Sequence, residues 1–222
     1  AGSRLRKFVY DHLLVNGINE MIPAPPEIPG AEERCCREEN SYVNRMCHLM
    51  HRTKAVIKTA ILYHAEAEWF QGDFQRFQIP GGELARHQIS YDVIPADVFT
   101  DTDYYSTDTG KGLAVNGNVY EALIIPAAQA LPESVSRFLQ AAEKTGFPVL
   151  FCDRRPDVIA ENGRPLTCAY GMLVKQTQLA GALDKLIHRD IFLGDENPDI
   201  RYAHFTCDEG EYYLLVNEGK RA

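Results

Sequence analysis

The chain has 222 residues, 45% hydrophobic and 24% charged, an average globular composition that argues against a disordered or fibrous protein. Its net charge of −8, from 31 Asp and Glu against 23 Lys and Arg, repels phosphates and excludes the basic footprint of a nucleic-acid binder. No stretch approaches the roughly 18 apolar residues of a membrane helix, and no apolar core of a signal peptide follows Ala1–Arg4. The sequence therefore predicts no nucleic-acid or membrane partner and favours a cytoplasmic location.

In chain order, residues 4–15 place Leu5, Phe8, Val9, His12 and Leu13 on one helical face, with Asn16-Gly17 as a stop. The proline-rich run from Ile18 allows at most a short strand at Ile18–Ile22 before a loop. A second helix fits 39–51, where Tyr42, Val43, Met46, Leu49 and Met50 are apolar. At Ala55 the pattern changes. AVIKTAILYH suits a strand buried on both faces, and it is followed by a helical stretch near 74–88 and a strand at 88–94. Asn116-Gly117 between two short apolar runs predicts a hairpin. EALIIPAA (121–128) is a third buried strand. The helix that follows has Pro132 near its start and Gly146 at its C-cap, and PVLFCD (148–153) is a fourth strand. A helix near 177–189 precedes a hairpin turning at Asp208-Glu209-Gly210. Strands alternating with helices through short connections predict a parallel α/β sheet.

In such a sheet, ligands bind beyond the carboxyl ends of the strands. His64, Glu66, Glu68 and Trp69 follow the first strand, Pro126–Gln129 the third, and Asp153-Arg154-Arg155 the fourth. Trp69, flanked by carboxylates, has the composition of a sugar site, in which carboxylates accept hydroxyls and an indole stacks on ring C–H groups. The competing reading makes it a helix start, with Trp69 packed as core and the carboxylates favouring the positive dipole end. Glu66 and Glu68 also suggest a glycosidase acid and base, whose carboxyl groups lie about 5–5.5 Å apart in retaining enzymes. A nucleophilic elbow is not expected, because IIPAAQAL has no Cys, Ser or flanking glycines. Gly81-Gly82 matches no phosphate-binding fingerprint, so no nucleotide or flavin cofactor is expected. The histidines form no HExxH or HxH, the six cysteines form no CxxC, and reduced thiols and no metal are expected.

The runs KTAILYHAEAEWFQGD, HQISYDVIPADVF and VNGNVYEALIIPAAQALPESVSRFLQAAEKTGFPVLFCDRRP resemble one family: the flavodoxin-like middle domain of multidomain glycoside hydrolases, called the trimerisation domain in family 42 β-galactosidases. The same fold occurs in class I glutamine amidotransferases, here without their triad. The resemblance implies an α/β flavodoxin-like three-layer sandwich over 53–192. It further implies that 1–52 closes a catalytic (β/α) barrel, with a short last strand at Ile18–Pro23, and that 193–222 opens a β-sandwich.

On this resemblance the catalytic carboxylates lie outside the chain. Glu66, Glu68, Trp69, Asp153 and Arg154 line the rim of a sugar site, with Asn16 and Asn19 as weaker candidates and Asp153–Arg154 as a possible ion pair. The implied partners are the parent enzyme's carbohydrate substrate, its barrel and a second copy of the chain. The implied function is that of an accessory, non-catalytic domain. The alternatives are a free-standing hydrolase using Glu66 or Glu68 and a small-molecule binding module. The helices at 4–15 and 39–51 are expected to pack on the sheet domain or on another copy.

Overall fold

A computed structural model of the chain describes residues 2–22, 33–70, 72–167, 170–195 and 197–219. Along the chain run α1 (Gly2–Val15), α2 (Glu33–His51), β1 (Lys54–Ala55), β2 (Thr59–Tyr63), α3 (Ala65–Trp69), α4 (Gln78–Arg86) and β3 (Tyr91–Pro95). A 3₁₀ turn at Ala96–Phe99 leads to β4 (Leu113–Val115) and β5 (Asn118–Tyr120). Next come β6 (Ala122–Ile125), β7 (Ala130–Leu131), α5 (Glu133–Thr145), β8 (Val149–Cys152) and β9 (Val158–Ile159). The last elements are β10 (Met172–Val174), α6 (Leu179–Leu183), β11 (Ile200–Cys207) and β12 (Gly210–Asn217). They form two compact units, 57–196 and the combined ends 1–56 and 197–222.

The larger unit is built on five parallel strands in the order β10-β8-β6-β2-β3. Taken in chain order this is 2-1-3-4-5, the flavodoxin-like doubly wound order. The strands are buried on both faces, so successive residues serve opposite layers. Ala60, Leu62, Leu123, Ile125, Val149 and Phe151 pack with Val135, Phe138 and Leu139 of α5. Ile61, Ile124, Leu150 and Cys152 pack with Leu84 of α4 and Leu179 and Leu183 of α6. The fold class is the α/β three-layer sandwich expected from the sequence, with an antiparallel hairpin at the end of the chain.

Turn chemistry falls where the residues dictate. Asn116 (φ 49°) and Gly117 (φ 77°) take the paired positive φ of a tight hairpin turn between β4 and β5. Gly146 ends α5 in the left-handed region. In the five-stranded sheet the strand absent from the sequence reading is β10, a three-residue edge with Met172 and Leu173 half exposed, and the separate β7–β9 pair is absent from that reading as well.

In the smaller unit, β1 joins the β11–β12 hairpin in an antiparallel sheet of order β1-β11-β12. Leu14 of α1, Met50 of α2 and Phe205 of β11 form its core, so the two helices pack with the terminal hairpin. AVIKTAILYH is thus two strands, β1 and β2, lying in different sheets. Three further expectations change here. The Leu5, Phe8 and Val9 face of α1 is exposed, and burial falls instead on Leu14 and Val15 in the last turn. α2 begins at Glu33 rather than 39. Residues 18–22 form no strand, having no ladder partner among the described residues, and Pro23 lies outside them. α1 nevertheless stops at Asn16-Gly17: the Ile18 N–H donates to Leu13 O at 3.0 Å and the Gly17 N–H to Leu14 O at 3.0 Å.

Among the described residues, no helix is long and apolar enough to cross a membrane, and no group of three or more His, Cys, Asp or Glu side chains is arranged to hold a metal ion. Cys36, Cys47, Cys152 and Cys207 are free thiols.

Candidate functional site at the carboxyl edge of the sheet

β2 delivers the chain to His64, and the five-residue helix α3 starts immediately afterwards. Ala67 is the buried side of that helix. Helical residues two apart lie about 200° apart around the axis, so Glu66 and Glu68 diverge from one another on either side of Ala67. Glu68 enters a cleft of about 250 Å³ with Tyr63, His64, Phe74, Gln75 and Arg76. Glu66 enters a separate hollow of about 450 Å³ with Trp69, Phe70 and Glu161. An acid and base flanking one glycosidic bond is therefore not what this helix builds.

Trp69 is 75% exposed, which overturns the reading of it as core. Glu66 is half-buried, and its Oε2 has no hydrogen-bond partner among the described residues. Burial raises its pKa, and the charges of Asp97 and Glu161 push it further up, against a backbone hydrogen bond that lowers it. Glu161 is already engaged, because its two oxygens accept the Glu133 N–H at 3.0 Å each at the start of α5.

His64 is only 7% exposed, and neither ring nitrogen finds a hydrogen-bond partner among the described residues. Burial drives its pKa down to about 4, the Leu62 backbone pulling the other way. The imidazole is neutral at pH 7, and as such carries one donor and one acceptor.

Asp153 and Arg154 do not pair with each other. Asp153 sits at φ 60°, just past β8, and its carboxylate accepts from Gln75 Nε2 at 3.1 Å and from the Gln176 N–H at 2.9 Å. Arg154 donates to Asp73 at 2.9 Å and to Asp157. Both residues hold the segment 72–77. The same segment is stitched to the loop after β6: the Gln75 N–H donates to Ala127 O at 2.6 Å and the Gln129 N–H to Asp73 O at 2.7 Å, with Phe74 bridging Ala128. A Cβ on Gly72 would meet Gln129 Oε1 at 2.5 Å and Gln129 Cβ at 3.1 Å, so a larger residue there would have to shift the Gln129 side chain. The crevice between β2 and β6, where the strand order reverses, is where a doubly wound sheet ordinarily receives its ligand. Here the chain's own strap crosses it, leaving the 250 Å³ cleft beside His64.

The structure thus brings Glu66 together with Trp69 and places Glu68 across α3 from them. Asp153 and Arg154 bond to the strap through Gln75 and Asp73. Sequence reasoning missed Phe74, Gln75 and Arg76 because it placed them in a helical stretch near 74–88, whereas α4 starts only at Gln78 and leaves them in the strap before it. Asn16 and Asn19 belong to the other unit, where Asn16 donates to His12 O at 2.7 Å beyond α1.

No protein-family model matches the chain. No curated protein matches it either. Among solved structures it is similar to a β-galactosidase from the psychrophilic Marinomonas ef1, at 13% identity and a TM-score of 0.40. That similarity covers 83% of this chain and 29% of the other, so the chain spans less than a third of that structure's length. A likeness of this degree carries no argument about activity.

Proposed function

We propose that this chain is a non-catalytic α/β domain of a carbohydrate-active glycoside hydrolase, lining the rim of a sugar site borne by a catalytic barrel or mediating oligomerisation. The observation that carries the reading is the exposed indole of Trp69, held beside the Glu66 carboxylate on a short helix at the carboxyl end of β2. An exposed tryptophan costs solvation, and a sugar's C–H face restores it while the carboxylate takes the hydroxyls. Glu68 extends the polar rim on the other side of α3, and Asp153 and Arg154 support it by fixing the strap. The exposed apolar face of α1 at Leu5, Phe8 and Val9 suits packing against a further part of the same enzyme. The divergence of Glu66 and Glu68 favours the accessory reading over a free-standing hydrolase.

Two assays test this. The isolated chain is expected to release no aryl group from aryl-glycosides, and turnover abolished by Glu66→Gln or Glu68→Gln would overturn the non-catalytic assignment. In the parent enzyme, Trp69→Ala is expected to raise KM several-fold with kcat little changed. An unchanged KM would remove Trp69 from the rim.

A further inference from the structure

The 250 Å³ cleft beside His64 is separate from the Trp69 hollow and is fully assembled by one stretch of chain, residues 62–78. Its walls carry exposed aromatic surface, Phe74 at 38% and Tyr63 at 42%, and Tyr63 is fixed edge-on by Phe77 at 5.8 Å between ring centroids. Glu68 and Arg76, one charge of each sign, line it, and neither has an ion-pair or side-chain hydrogen-bond partner among the described residues. At its base lies the buried imidazole of His64 with two unpartnered nitrogens, a departure from the near-universal pairing of buried polar atoms. Phe74 and Arg76 are held in place by the hydrogen bonds of the strap to Ala127, Gln129 and Asp153.

We propose that this cleft is a second, non-catalytic sugar subsite that takes one neutral pyranose ring. The inference rests on the carbohydrate reading above and deepens it. Three features select this ligand. The aromatic walls match the C–H faces of a ring. A carboxylate and a guanidinium together satisfy hydroxyls, which both donate and accept, while their opposite charges leave no preference for an ion. The volume lies below the roughly 300–1,000 Å³ of sites for larger ligands, which suits a single ring.

The test is ligand-observed saturation-transfer NMR on the chain with galactose, glucose and xylose, and with serine as a zwitterionic control. Transfer to at least one sugar at millimolar concentration is expected, with none to serine. Phe74→Ala and Glu68→Ala, both at exposed positions, are expected to weaken binding at least tenfold, and Trp69→Ala less than twofold. Arg76→Lys is expected to retain partial binding, which a purely structural role for Arg76 would not produce. Transfer lost in Trp69→Ala and retained in Phe74→Ala would overturn the cleft while leaving the carbohydrate reading standing. No transfer to any sugar would overturn the cleft as well, and the KM effect of Trp69→Ala in the parent enzyme then decides the broader reading separately. Binding of serine in preference to sugar would replace the pyranose with a zwitterion and equally overturn the proposal.

Discussion

Protonating His64 places a charge on a buried ring whose nitrogens have no hydrogen-bond partner among the described residues, and the fold resists it. The group's pKa is depressed from its ordinary 6.5 to about 4, so between those values the unfolded chain binds a proton that the folded chain refuses. Stability contributed by the neutral ring is complete above pH 6.5 and falls by about 3 kcal/mol as the pH drops to 4. Urea unfolding at pH 7.5 and pH 4.5 measures this, with His64→Asn as reference. The wild-type chain is expected to lose more stability than the variant, and equal losses would refute the assignment. Glu66 has the opposite sign: a raised carboxyl pKa means that ionisation costs stability as the pH rises. Glu66→Gln is therefore expected to raise the Tm at pH 7, and a fall would show that the ionised carboxylate is paired. At this scale the sequence was half legible. It pointed to Trp69 and its flanking acids, because their types are unusual after a strand. It missed the roles of Asp153 and Arg154, which are set by partners 78 and 81 residues away.

The elements that periodicity marks strongly, α5 and the β2, β6 and β8 strands, were legible because their apolar residues match one period throughout. β10 was not, since a three-residue edge strand with only Val174 buried is too short to carry a pattern of its own. Its geometry depends on Gly171, at φ 108°, where a Cβ would meet the Phe151 ring at 2.7 Å and the Val149 carbonyl at 3.1 Å. Gly171→Ala combines backbone strain with a core clash and is expected to cost about 2 kcal/mol or more, measured by denaturant unfolding; a change below about 0.5 kcal/mol would contradict the packing described. The strap behaves differently. Its anchors are exposed, solvent-screened polar contacts that contribute little to global stability. Asp153→Ala with Arg154→Ala is expected to speed amide exchange at 73–77 with little loss of global stability. Unchanged exchange there would mean that backbone pairing alone holds the segment.

For the whole molecule, the finding that sequence could not supply is that the two ends of the chain share one core. Leu14, Met50 and Phe205 are far apart in sequence, and no local pattern announces their meeting. The same packing explains why Leu5, Phe8 and Val9 stay exposed: the helix buries its last turn instead. Phe8→Lys is expected to leave the stability of the isolated chain within about 0.5 kcal/mol and to destabilise a longer enzyme in which that face is covered. The most direct test of the central claim is the mass of the natural polypeptide carrying this sequence, read by immunoblot of its source cells. The account predicts a band well above 25.0 kDa, large enough to add a barrel of about 250 residues. A band at 25 kDa would contradict it and return the Glu66, Glu68 and Trp69 helix to a small stand-alone protein.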